Sequence, residues 1–307
     1  MRVVDAQVHV WRAPAPGRPW VPGAESLAEG RWSYGIEELS RDMQAAGVDA
    51  AVLVPPGAWE GYWNDLVLEA ATAQPDRFAA MVNIDPVAPG AREQLALLLE
   101  HPATRGVRLG LSQGERREAF ARGELDWLWS DLESRRVPTA IFVPGLLEAA
   151  ADVASRFPRL PLALCHGAMN LRRLNPDVDG VVDRLVRLAD LPNVSVKASA
   201  LPLQSALPYP YEDLHAPIRR IVEAFGPERV FWGSDHTRLH HAEGGADYRQ
   251  CRRLFTDALG FLDDAARTLI MADALKRWLR WPQAGGGMPS SPRRRGSSAS
   301  APGARPW

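Results

Sequence analysis

Short β-branched runs alternate with longer helical patterns along most of the chain, and this alternation narrows the fold more than any other feature. The runs are VVDAQVHV (3–10), AAVLVP (50–55), FAAMVNI (78–84), GVRLGL (106–111), TAIFV (139–143), LALCHGA (162–168), VSVKASAL (194–201) and VFWGSD (230–235). Between them lie segments with apolar residues at three-to-four spacing, among them 36–47, 64–74, 91–100, 124–136 and 216–226. Several stop at Gly or shortly before Pro, as helices do. Eight such alternations over roughly 280 residues predict an α/β fold of the closed (β/α)8, or TIM, barrel type. An open doubly wound sheet would use fewer strands, and no GxGxxG follows the first run.

A chain that is 46% hydrophobic can bury the core of one large domain, expected over residues 1–282. Residues 283–307 are rich in Gly, Pro, Ser and Arg with almost no aliphatic side chains, so they are expected to form a disordered tail whose PRRRG cluster is solvated. The formal net charge of −1, with no long basic stripe before residue 293, argues against nucleic acid or an anionic membrane as partner. A small-molecule substrate is the expected partner. Only Cys165 and Cys251 occur, no basic-then-apolar leader opens the chain, and no apolar run nears the ~20 residues of a membrane span. A soluble cytoplasmic protein is expected.

The polar residues inside the apolar runs carry the chemistry. In such a barrel, reactive groups come from the C-terminal ends of strands. Asp5, Gln7 and His9 alternate along the first run and are expected to share the inward face, with Val4, Val8 and Val10 on the other. His166 ends the sixth run, Asp235 ends the eighth, Arg108 lies late in the fourth and Lys197 lies in the seventh. A lone inward His is more often a satisfied core residue, but burying so many titratable groups at one mouth is costly without a ligand. Gly106 and Gly110, on the face of Arg108, are expected to leave open volume around its guanidinium, suited to a carboxylate or an oxygen-rich group.

DAQVHVW, LALCHGA, NVSVKASALP and GPERVFWGSDHTRL together resemble the amidohydrolase superfamily, and more closely its amidohydrolase-related branch of 2-pyrone-4,6-dicarboxylate lactonase and fuconolactonase-type enzymes. The resemblance runs in strand order over residues 1–282 and implies a barrel that hydrolyses lactone or amide carbonyls. Carried over residue by residue, the branch's first-strand His-x-His becomes Gln7-Val8-His9, its sixth-strand His is His166, its eighth-strand Asp is Asp235, its fourth-strand Arg is Arg108 and its basic seventh-strand residue is Lys197. The superfamily's carboxylated Lys has no counterpart. A neutral amide is a poor zinc ligand, and the lactonase branch works without metal, so no cofactor is expected. The alternative is one divalent metal, zinc or manganese, on His9, His166 and Asp235.

The resulting expectation is a lactone hydrolase acting on a small carboxylated or sugar-derived substrate. Asp235 is the base for water. His9, His166 and Lys197 stabilise the oxyanion, with help from the Gln7 amide. Arg108, Gln7, Trp59, Tyr62 and His215 contact substrate, and Asp5 holds the strand end or orients His9. Trp20, Trp32, Tyr34, Trp59, Tyr62 and Trp63 crowd the first two loops and suit an apolar or ring-shaped ligand, although such residues also simply cap barrels. His236 and His215 are within reach of the mouth, while His240 and His241 are expected in solvent. Two other classes stay open. One is a metal-dependent decarboxylase of the aminocarboxymuconate-semialdehyde type, and the other is a binding protein with a decayed site.

Overall fold

The structure is a computed structural model that describes residues 1–24, 32–171, 177–241 and 246–282. The tail over 283–307 lies outside the described residues. Eight parallel strands run in the order β1 to β8: Val4–His9, Ala50–Val54, Phe78–Val82, Thr104–Gly110, Thr139–Phe142, Leu162–Leu164, Val194–Ser199 and Val230–Gly233. They make a nearly closed barrel of the expected type.

Helices α1 (Ile36–Ala46), α2 (Asp65–Ala73), α3 (Ala91–Glu100), α4 (Gly114–Ala121), α5 (Asp126–Ser134), α6 (Leu147–Arg156), α7 (Val178–Val186) and α8 (His215–Phe225) follow the strands. The shorter α9 (Tyr248–Arg253), α10 (Asp264–Thr268) and α11 (Ala274–Trp278) complete the described residues. Helix α1 shows how local sequence sets these bounds. The Glu38 carboxylate accepts from the Gly35 N–H at its start, and Gly47 turns left-handed at its end, with φ +71°.

Two apolar layers follow from the strand period. Ala51, Leu53, Val107, Leu109, Val194 and Val196 face the helices, and Ala50, Val52, Met81, Ala140, Ala163 and Phe231 fill the barrel. In β1 the period breaks. The pairing steps from Asp5 opposite Ala51 to Val8 opposite Leu53, so β1 carries one residue more than β2. Val4 and Ala6 therefore pack inside the barrel, Val8 and Val10 pack outside, and both Ala6 and Gln7 look inward. The expectation that Asp5 shares a face with Gln7 and His9, opposite Val4, is corrected by this bulge. Asp5 instead lies at the seam between β1 and β8.

That seam is closed by a side chain. Asp5 Oδ1 accepts from the backbone N–H groups of Gln7 and Ser234, each at 2.9 Å, and its Oδ2 accepts from the Ser234 hydroxyl. The Asp235 N–H adds a bond to the Gln7 carbonyl at 3.0 Å. Asp5 thus holds the strand ends, one of the two roles expected of it, and burial pushes its carboxyl up to about 6.

Gly106 also departs from expectation. Its missing Cβ leaves no room for Arg108, because a Cβ there would collide with the Pro138 carbonyl and the Met81 side chain. Only at Gly110 does the Arg108 guanidinium fill the space, with Nη1 3.2 Å from where a Cβ would sit. Gly106→Ala must therefore move backbone, and it is expected to lower stability by about 1–3 kcal/mol. Gly110→Ala meets only a flexible side-chain end and should lower it less. Thermal melts of the two variants check this order.

Candidate active site

The strand ends that form the mouth are built on unusual backbone. His166 and Gly167 are left-handed just after β6 (φ +57° and +58°), Ala200 just after β7 (+55°) and Asp235 just after β8 (+53°). For residues other than Gly such conformations are disfavoured and cluster at functional sites. They end each strand abruptly, so β6 stops at Leu164, and they aim the next side chains across the barrel mouth.

Gln7 is the hub of the cluster. The buried Lys197 ammonium donates to Gln7 Oε1 at 2.7 Å, and the Cys165 thiol is 3.8 Å from the same oxygen. An ammonium can only donate, so the amide orientation is fixed and the other end of Gln7 is its NH2. That nitrogen lies 3.2 Å from His166 Nε2 and 3.2 Å from Asp235 Oδ1. His166 Nε2 must then accept, which leaves the ring proton on Nδ1, donated to Ser199 Oγ at 2.9 Å. The His166 tautomer is thus set by a chain of bonds that starts at Lys197.

His9 obeys the same logic. Its Nδ1 is 2.8 Å from the Val54 carbonyl, which can only accept, so Nδ1 carries a proton. Its Nε2 lies 3.1 Å from Asp235 Oδ1, and that contact requires a further proton between the two atoms. One proton therefore lies between His9 Nε2 and Asp235 Oδ1, and the same oxygen accepts from the Gln7 NH2.

Burial sets the charges. His166 is pushed down to about 3, chiefly by burial and secondarily by Arg108 and Lys197, with Asp235 opposing, so it is neutral near pH 7. Burial also lowers the Lys197 ammonium, with Arg108 acting in the same direction. Arg108 lies across the face of Phe142, 5.7 Å from the ring centre, and among the described residues its Nε has no hydrogen-bond partner. Among the described residues no carboxylate pairs with Arg108, which disfavours a purely structural ion pair.

The cluster brings together Asp235, His166, His9, Lys197 and Gln7, with Trp59 edge-on to His9 at 6.3 Å. Several expected roles change. The amide of Gln7 is taken at both ends by protein groups, so in this structure it connects the cluster. His166 Nε2 accepts a hydrogen bond and cannot donate one to an oxyanion in this tautomer. His215 Nε2 faces the carbonyl of Pro210 in its own loop, and Tyr62 lies under Arg116, 5.6 Å from its ring centre, so neither is drawn into the cluster. His236 stacks on Tyr248 at 4.4 Å and faces Asp42 of α1 at 3.0 Å, away from Asp235. Ser199 was not foreseen, although it stands two residues after Lys197 and so shares its inward face.

A dication on His9, His166 and Asp235 would have to compete with hydrogen bonds already made there. Where a metal on His9, His166 and Asp235 would have to bond, the Gln7 NH2 already donates to two of them, with the Lys197 ammonium behind it. Among the described residues no group of three His, Cys, Asp or Glu side chains is arranged to hold an ion.

The neutral, buried His166 gives an acid-lability test. Its imidazole takes a proton near 6.5 once unfolded but only near 3 when folded, so unfolding is favoured as pH falls below about 6.5. Asp5, raised to about 6, acts in the opposite direction between about 6 and 4. His166→Asn removes only the first effect. Its melting temperature should therefore fall less than that of the native chain between pH 7 and pH 4.5, as measured by thermal denaturation across that range.

The chain is similar to proteins that share this architecture. It is 26% identical to the D-galactarolactone isomerase of Agrobacterium fabrum, over 86% of each chain. It is 25% identical to the L-fucono-1,5-lactonase of Burkholderia ambifaria, over 84% of this chain and 89% of that one. Among solved structures, an amidohydrolase from Burkholderia multivorans with bound zinc superposes with a TM-score of 0.76 at 22% identity, covering 92% of this chain and all of the other. A putative 2-pyrone-4,6-dicarboxylic acid hydrolase from Pseudomonas putida gives a TM-score of 0.68 at 20% identity, over 92% of this chain and 99% of that one. These structures share the fold. With residues 4–281 matching the amidohydrolase family and the barrel carrying its reactive side chains at the strand ends, the chain belongs to that family.

Proposed function

We propose that this amidohydrolase opens a lactone of a small carboxylated or sugar-derived substrate with base-activated water. The observation that carries this reading is the Asp235 carboxylate held between His9 and Gln7 at the mouth, beside an arginine that lacks an acid partner among the described residues. The two relatives named a lactonase and a lactone isomerase support the substrate class. Both cysteines are free and buried, which suits a reducing compartment such as the cytoplasm.

In this reading Arg108 binds a carboxylate or hydroxyl of the substrate and sets the ring over Asp235. Asp235 takes a proton from water as the water oxygen attacks the lactone carbonyl carbon. The carbonyl electron pair moves onto its oxygen, next to the positive charges of His9 and Lys197. When the ring C–O bond breaks, His9 gives the proton on its Nε2 to the departing oxygen, and the product is a hydroxy acid. The proton gained by Asp235 then returns to His9. A substrate hydroxyl in place of water would make the same base a lactone isomerase, a reading that the similarity to galactarolactone isomerase favours. Reaction in oxygen-labelled water separates the two, since only hydrolysis places solvent oxygen in the product acid.

A panel of sugar lactones, pyrone carboxylates and muconolactones, run on protein of measured metal content, tests the proposal. Acid release from at least one of them is expected, and it should survive EDTA. Failure to turn over any lactone would overturn the reading. Complete loss with EDTA, restored by zinc or manganese, would overturn its metal-free part.

Two variants assign the roles. Asp235→Asn keeps the shape and removes the proton acceptor, so turnover should fall by roughly 10²–10⁴ while the melting temperature is spared. Arg108→Met should raise KM more than it lowers kcat. Steady-state kinetics on the best lactone of the panel checks both.

A further inference from the structure

At the opposite end of the barrel from the mouth, where β4 and β5 begin, lies a recess of about 270 Å3. Arg105, Arg135, Arg136 and Arg280 line it alongside six uncharged residues, and among the described residues no Asp or Glu does. Elsewhere on the surface several arginines are neutralised by a nearby acid, Arg92 by Asp131, Arg122 by Glu124, Arg156 by Asp126 and Arg253 by Asp257. Among the described residues none of the four recess arginines has an ion-pair partner, and Arg105 reaches only the Pro102 carbonyl.

Two of the four also sit on disfavoured backbone. Arg136 (φ +50°) and Arg280 (φ +49°) are left-handed, each in the turn that ends a helix, α5 and α11 respectively. The turns are fixed by Val137 N–H to the Leu132 carbonyl and Trp281 N–H to the Lys276 carbonyl, both at 2.9 Å. Gly occupies such a position without strain, and an arginine does not. The negative end of each helix favours one nearby cation. That accounts for neither Arg105, at the start of a strand, nor the gathering of four like charges around one hollow.

An oxyanion in the recess would relieve their mutual repulsion and engage the planar donor forks of the guanidinium groups. We propose that the recess is a binding site for a multiply charged phosphate-type anion, held by Arg105, Arg135, Arg136 and Arg280. It is independent of the lactone chemistry at the mouth.

Calorimetric titration of the full chain with inorganic pyrophosphate tests this. Saturable binding at one site is expected at low salt, weakening as salt is raised. Arg136→Gly and Arg280→Gly should each weaken it by roughly tenfold. Both substitutions relieve left-handed strain, so these variants should melt no lower than the native chain, which separates a lost anchor from a lost fold. Arg122→Gln, on the paired surface, and Arg108→Met, at the mouth, should bind as the native chain does. The proposal is overturned if pyrophosphate shows no saturable binding, if the two glycine variants bind as tightly as the native chain, or if Arg108→Met alone abolishes binding.

Discussion

A barrel of parallel strands has to close somewhere, and here closure depends on one buried carboxylate. β1 and β8 are joined through Asp5, which gathers the backbone of Gln7 and both the backbone and the hydroxyl of Ser234. The Ser234 hydroxyl in turn accepts the N–H of His236, so the residue between them, Asp235, is held on both sides in a left-handed turn. Enclosing an acid without a cationic partner is unfavourable, and the three donors offset that penalty. The position of the proposed base therefore follows from the way the barrel is closed.

From that seam the cluster is organised by valence more than by charge. Each group has a fixed number of protons to give or accept, and the Lys197 ammonium at one end leaves a single consistent arrangement through Gln7, His166 and Ser199. The second line, from the Val54 carbonyl through His9 to Asp235, meets the first at Asp235 Oδ1. A network satisfied in one way only is rigid, and rigidity at a reacting centre is useful because donors need not reorganise as charge develops.

Much of this was legible in the sequence. The eight strands are buried on both faces, so they read as continuous apolar runs, and polar residues late in a run, such as Arg108, His166 and Asp235, stand out against them. The bulge at Ala6 and Gln7 was not legible, because one extra residue in a strand leaves no mark on residue type, and strict alternation then assigned Asp5 to the wrong face. Ser199 was hidden by its small size among other small residues. Gly106 was read as space for a neighbour, when it is the close approach of the Pro138 backbone that requires it. The directions taken by His215 and His236 depend on loop carbonyls and on Asp42, partners far away in sequence.

The bond between Lys197 and Gln7 also bears on how such a site could change over generations. A histidine at position 7 would set two imidazoles on the first strand, but it would replace the carbonyl oxygen that the buried ammonium needs and bring a further ring nitrogen toward His166. Replacing Lys197 first would free the Gln7 amide to turn over and would release the His166 tautomer. Positions 7 and 197 are therefore coupled, because a change at either one breaks the bond that orients the other and releases the groups beyond it.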